Sequence, residues 1–170
     1  MTTITLLRQD ILDDIADAAF VVADIAEGDR DHHSLHQTYD ICEEANTLRV
    51  NHLIDLAFAE ALLLLRPLLD SSRPPVATES SLSLTLKPHP FFLSHSLPND
   101  QSSGGFVGCR ESVKTFHLRE TLREYLLSYV LTHWLRVTLP QSAPPWETRL
   151  QESSRQLRST ITLTRPLSPW

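Results

Sequence analysis

Apolar residues recur every three or four positions along much of the chain, which is the spacing of one helix face. The first such run predicts a helix over residues 4–27, with Gly28 ending it and a buried face made of Ile4, Leu7, Ile11, Ile15, Ala18, Val22 and Ile25. A second helix is predicted over 34–66, because Ser34 and Gln37 have capping-box spacing and Pro67 removes an amide donor. The same periodicity predicts helices over 112–138 and 144–161.

A different period occurs between the second and third helices. Residues 81–87 alternate strictly between polar and apolar side chains, which predicts a half-buried strand. Its partner is expected later in the chain, within 91–93 or 106–109, so that 81–110 forms a β-hairpin or extended arm. The predicted fold is one mainly α domain over 1–170, a four-helix-like bundle with this arm between its helical halves and an extended tail at 165–170.

The second helix changes character along its length. In its first half the apolar residues lie on one side only: Leu35, Tyr39, Cys42, Ala45 and Leu48. Over residues 53–65, leucine, alanine and phenylalanine occupy almost every side of the helix. A helix that is apolar on all sides is a buried helix, so it either runs through the middle of the domain or is covered on one side by another subunit. We expect a homo-oligomer, with an interface that includes Leu56, Phe58, Leu62 and Leu63.

Aromatic residues in the second half of the chain extend this candidate interface. Tyr125, Tyr129 and Trp134 share the buried side of the third helix and form either its core contact or an intersubunit seam. Trp146 lies in the apolar seam of the fourth helix. Trp170 follows two prolines in a non-helical tail, and we expect this tail to dock on its own bundle or on a neighbour.

The formal charge of −6 is distributed unevenly. Residues 1–70 hold 14 acidic and 4 basic side chains, a balance of −10, whereas residues 71–170 hold 7 acidic and 11 basic ones, a balance of +4. The acidic half is either a solvated surface or a complement to the basic half of another copy. A sequence pI near 5.7 argues against nucleic-acid binding, which normally needs a basic stripe.

Histidines supply the densest group of potential ligands. His32, His33 and His36 could hold a metal if they shared a helix face, but the predicted N-cap at Ser34 favours a solvated turn. Cys42 and Cys109 have no paired spacing, which fits a reducing compartment. No catalytic or cofactor signature, signal peptide or bilayer-length apolar segment is present. We therefore expect a protein without cofactors that is not an enzyme and does not enter membranes.

The C-terminal half carries a resemblance. The residues that carry it are 125–134, Leu139–Pro140, Ala143, Trp146 and the closing 165–169, together with the preceding alternating strand. Over about 80–170 the chain resembles small structural or tail-assembly proteins of gut Bacteroidetes prophages. This resemblance implies a head-tail connector, neck adaptor or tail-completion subunit. Its partners would be copies of itself and other particle proteins, first in the bacterial cytoplasm during assembly and then in the virion or phage-like particle.

Two other functions remain open at this point. The chain could be a cytoplasmic helical module that dimerises through its second and third helices and serves binding or regulation. The last candidate function is a metal-dependent helical-bundle enzyme that uses His32, His33 and His36.

Overall fold

The computed structural model describes residues 2–26, 41, 43–88 and 113–163. The protein is mainly helical, with four long helices and a small three-stranded antiparallel sheet. The elements in chain order are β1 (Thr2–Leu7), α1 (Arg8–Ala26), α2 (Thr47–Leu65), β2 (Val76–Ala77), β3 (Ser81–Leu86), α3 (Val113–Thr138) and α4 (Ala143–Leu163). The expected mainly α fold class is confirmed.

Helix α3 is the centre of the bundle. It packs against α1, α2, α4 and β1, and leucine and aromatic side chains cover most of its length. Small polar residues also belong to its buried side, since Ser128 and Thr132 are almost completely buried. Helix α2 also contacts α4, so α2 and α4 lie side by side on α3.

The prediction of one helix over 4–27 was wrong at its start, because residues Thr2–Leu7 form strand β1. Ile4 and Leu6 point into the core while Thr3, Thr5 and Leu7 are exposed, the two-residue alternation of a half-buried strand. Threonine and isoleucine are β-branched and favour extended backbone. Ile4 and Leu7 have helical spacing and Ile4 and Leu6 have strand spacing, and pairing with β3 decides for the strand.

Strand β3 is the middle strand of the sheet, whose order is β1-β3-β2. It pairs antiparallel with β1 in the register Thr2↔Leu86 to Leu7↔Ser81, and with β2 and Leu69 on its other side. The strand predicted over 81–87 is therefore present, but its observed partners precede it in the chain. The partners expected within 91–93 and 106–109 lie outside the described residues.

Short 3-10 turns border the helices. The described part of the second helix begins at Thr47, after a 3-10 turn over Glu44–Asn46, and residues 34–40 of the predicted helix lie outside the described residues. Helix α2 ends in a 3-10 turn that contains Pro67, as expected for a residue without an amide donor. A third turn over Pro140–Ser142 links α3 directly to α4.

Arg8 joins the sheet to the helices. It directly follows β1, and its backbone N–H donates to the carbonyl of Ser80, 3.0 Å away, continuing the ladder with β3. Its side chain is only 6% exposed and reaches across to α2, where it forms an ion pair with Asp55. The guanidinium also donates to the Thr78 carbonyl at 2.5 Å and to Asn51 Oδ1 at 3.4 Å. One buried cation thus holds β1, α2 and the β2–β3 turn together.

We predict that Arg8→Met lowers the free energy of unfolding by about 2 kcal/mol, because charge-assisted hydrogen bonds are lost and the Thr78 carbonyl loses its donor. Methionine keeps the apolar stem, so the loss reports on the polar contacts. Urea unfolding followed by circular dichroism measures it. Arg155→Met on the exposed face of α4 is the control and should change stability by less than about 0.5 kcal/mol. Equal effects of the two substitutions would contradict this role of Arg8.

Candidate interaction surface

Helix α2 has two different apolar faces. Its inner face consists of Val50, Ile54, Ala57, Phe58, Ala61 and Leu65, all of which are buried. On the other side, Leu48 is 84% exposed, Leu56 42% and Leu63 70%. These leucines do not belong to the core of the described structure. A large apolar side chain in water is common singly, but several on one helix face indicate a surface that contacts another molecule.

The exposed leucines belong to a continuous line along α2. His52, Leu56, Ala59 and Leu63 are all exposed and follow one another at intervals of four, three and four residues. This alternation places them on a narrow stripe, the arrangement of the a and d positions of a coiled-coil seam. We call these four residues and Leu48 the α2 stripe. Ala59 leaves space in the middle of the stripe, which lets a second helix approach closely.

Two acidic residues flank the α2 stripe, and both are held by partners from inside the molecule. Asp55 forms the ion pair with Arg8. Glu60 accepts hydrogen bonds from Tyr125 Oη at 3.3 Å and from Tyr129 Oη at 3.1 Å, both on α3. The Arg8 cation compensates the Asp55 charge, and the two hydroxyls draw the Glu60 carboxylate toward α3. The α2 stripe between them, which is apolar apart from His52, is therefore uninterrupted by free acids.

The two tyrosines are buried donors. Burial raises the pKa of both phenols, and the neighbouring Glu60 carboxylate raises it further, because a phenolate beside a carboxylate would be a second negative charge. The ring of Tyr129 also packs on the imidazole of His133, with centroids 4.3 Å apart. At neutral pH both tyrosines remain protonated, so that they keep donating to Glu60 and fix α2 to α3.

The structure separates the nine predicted interface residues into three groups. Leu56 and Leu63 are exposed on the α2 stripe, and Leu62 is half-buried beside it. Trp170 lies outside the described residues. The remaining five lie in the chain's own core and not on its surface: Phe58, Tyr125, Tyr129, Trp134 and Trp146. Helices α2, α3 and α4, which carry these residues, pack on one another.

Leu48 was missed as a surface residue, because its spacing within the predicted second helix put it on the buried side. In the structure α2 begins only at Thr47, so Leu48 lies in its first turn and projects into solvent. Ala59 was also missed, since a small residue carries little weight in an apolar pattern. The spacing of 52, 56, 59 and 63 is the signal that could have identified the stripe.

A second surface feature is a groove along α1. Two cavities of about 480 and 450 Å³ share Ala18 and Val21 in their linings. The first lies between α1 and α3 and contains the ion pair of Asp14 with Arg123. The second extends to Trp146, whose ring is covered by the guanidinium of Arg149 at 4.7 Å. This groove has an acidic end and an apolar end.

The candidate metal ligands cannot be placed from the described residues, because His32, His33 and His36 lie outside them. The expectation that this cluster is a solvated turn and not a metal site therefore stays a prediction. In the described part of the chain, no three histidine, cysteine or acidic side chains come together in a metal-binding arrangement. No described helix combines the length and apolar character needed to cross a membrane.

We predict that Tyr125 and Tyr129 ionise at higher pH than an ordinary tyrosine, which titrates near pH 10. Because their pKa values are raised in the folded state, the stabilisation is complete below about pH 10 and is lost as pH rises through the folded pKa values. Ultraviolet absorbance of the phenolate measures the titration, and thermal unfolding at several alkaline pH values measures the stability.

The double variant Tyr125→Phe/Tyr129→Phe removes both titrating groups. Its thermal stability should fall less steeply between pH 9 and about pH 11 than that of the unmodified protein. Ordinary titration of all three tyrosines of the chain would contradict the burial and the Glu60 contacts.

Comparisons with protein-family models, with curated proteins and with solved structures find no match to this chain. The α2 stripe and its surroundings are therefore the basis on which a function can be proposed.

Proposed function

We propose that this protein is an assembly subunit that works through subunit–subunit contacts rather than catalysis, with the α2 stripe as its contact surface. The observation that carries this proposal is the exposure of Leu48, Leu56 and Leu63 on one helix face whose flanking acids are held from within. Covering such a face removes apolar surface from water, which is the main driving force for protein association.

The kind of assembly follows from the resemblance of residues 80–170 to prophage structural proteins. We propose a phage or phage-derived particle, in which the protein would be a head-tail connector, neck adaptor or tail-completion subunit. A small helical subunit suits that role if its stripe meets a different surface of the next copy, because such head-to-tail contacts between identical subunits generate closed rings. Capsid, portal or tail genes beside the gene for this protein would support the particle, and their absence would count against it.

We predict that Leu63→Arg weakens association without unfolding the chain. Burial of a leucine contributes roughly 1.5–3 kcal/mol, and a contact that uses Leu63 in both subunits should weaken roughly 100-fold or more. Leu63 is mostly exposed and lies in the last turn of α2, where arginine is a good helix former and interacts well with the helix dipole. Sedimentation velocity over a concentration series measures the association.

Val137→Arg is the matched control, since Val137 is 65% exposed and, like Leu63, lies in the last turn of its helix, but on α3 and not on the stripe. It should leave association unchanged. Equal association of the Leu63→Arg variant and the unmodified protein would contradict the assignment of the contact to α2.

The mass of the assembly distinguishes the two candidate functions that the α2 stripe supports. A ring-sized assembly, or a monomer that assembles only with a particle partner, favours the particle subunit. A stable dimer that grows no further favours the second candidate, a cytoplasmic dimeric module for binding or regulation, because an a/d seam is self-complementary in a helix pair. Light scattering coupled to size-exclusion chromatography measures this mass.

A further inference from the structure

We propose that β1 is a second self-association site, at which two copies of the chain pair their β1 strands antiparallel and join their sheets into one six-stranded sheet. This site is separate from the α2 stripe and does not depend on it. The occupant is a second copy of this chain.

The direction of the peptide groups along β1 follows from the sheet register. The N–H of Arg8 donates to Ser80, and the carbonyl of Thr85 accepts from Asp70 on the opposite side of β3. With Thr2 opposite Leu86, the even-numbered residues of β1 therefore bond to β3. The N–H and C=O groups of Thr3, Thr5 and Leu7 point to the outer edge, where no strand of the described residues pairs with them.

Within the described residues, the edge of β1 lacks the usual protection of an outer strand. Soluble proteins protect such edges with lysines, prolines, bulges or very short strands. Strand β1 is six residues long, its register with β3 contains no bulge, and its sequence TTITLL carries no charge and no proline. Peptide groups that no described strand pairs with, on a regular and neutral strand, form a template for another strand.

A cavity of about 310 Å³ borders the outer edge of β1. Its lining includes Thr5 and Leu7 of the strand and four charged side chains, Asp10, Arg119, Glu120 and Arg123. Two acids and two bases balance, and the Arg119–Glu120 contact at 3.3 Å lies within this lining. A groove of balanced charge favours a neutral strand over an acidic or basic peptide, and β1 itself is such a strand.

The exposed residues of β1 are complementary to themselves when two copies meet about a twofold axis through Thr5. Thr5 then faces Thr5 of the second copy in a hydrogen-bonded pair, and Thr3 faces Leu7 of that copy. Leu7 is 52% exposed and would pack on the methyl group of the opposite threonine. Both copies contribute the same groups, so the interface closes without a further protein.

The test uses chains that carry Leu63→Arg, so that the α2 contact is already weakened. We expect these chains to form dimers in sedimentation velocity, and we expect Thr5→Pro to weaken that dimer roughly 30-fold, since it removes the Thr5 donor from both strands. The Thr5 N–H points away from β3, so proline is tolerated there as on other edge strands. Thr162→Lys on the exposed face of α4 is a surface control that should have no effect.

A charge exchange tests the register and does not rely on proline. Thr5→Lys and Thr5→Glu should each weaken the dimer, because like charges would meet at the twofold axis, and an equimolar mixture of the two should restore it. Unchanged melting temperatures show that the fold is intact. Purely monomeric Leu63→Arg chains, or a dimer unaffected by Thr5→Pro, would overturn the β1 proposal. Neither result affects the test of the α2 stripe, which compares Leu63→Arg with Val137→Arg.

Discussion

The burial of α3 on several sides is the constraint on which the rest of the fold depends. A helix of 26 residues with buried side chains on most of its surface must be covered by several partners at once. Helices α1, α2 and α4 and strand β1 provide this cover. Once α2 gives one apolar face to α3 and α4, its second apolar face has no partner within the described chain. The exposed stripe is thus a direct result of how α3 is covered.

Periodicity was sufficient to predict a mainly helical chain and a strand near residues 81–87, because both patterns are local. It failed at residues 2–7, where Ile4 and Leu7 fit a helical pattern while Ile4 and Leu6 fit an extended one. A strand forms there because the segment pairs with β3. That partner lies some 80 residues further along the chain, and a local pattern contains no information on it. The role of Arg8 was not predictable for the same reason, since Asp55 and Thr78 are distant in sequence.

The candidate interface shows a similar division. Apolar residues on all sides of α2 indicated a helix that is either buried in the domain or covered on one side by another subunit, but which of its residues point outward depends on the angle at which α2 packs on α3. Phe58 and Leu63 are indistinguishable as apolar residues, yet one is in the core and the other in solvent. The charge asymmetry is partly satisfied within the chain, because Asp14 of the acidic half pairs with Arg123 of the basic half. That contact joins α1 to α3.

The pairing of Thr2 with Leu86 has a consequence for how the chain is made. During synthesis β1 leaves the ribosome long before β3 does, and at typical rates of about 5–20 residues per second it waits several seconds without its partner. Contacts of such high sequence separation also slow folding, since a long loop must close before they form. Helix α1 begins at the residue that follows β1, so it cannot reach its final orientation until the sheet has closed. Strand β1 and the start of α1 are therefore fixed only after β3 has been synthesised.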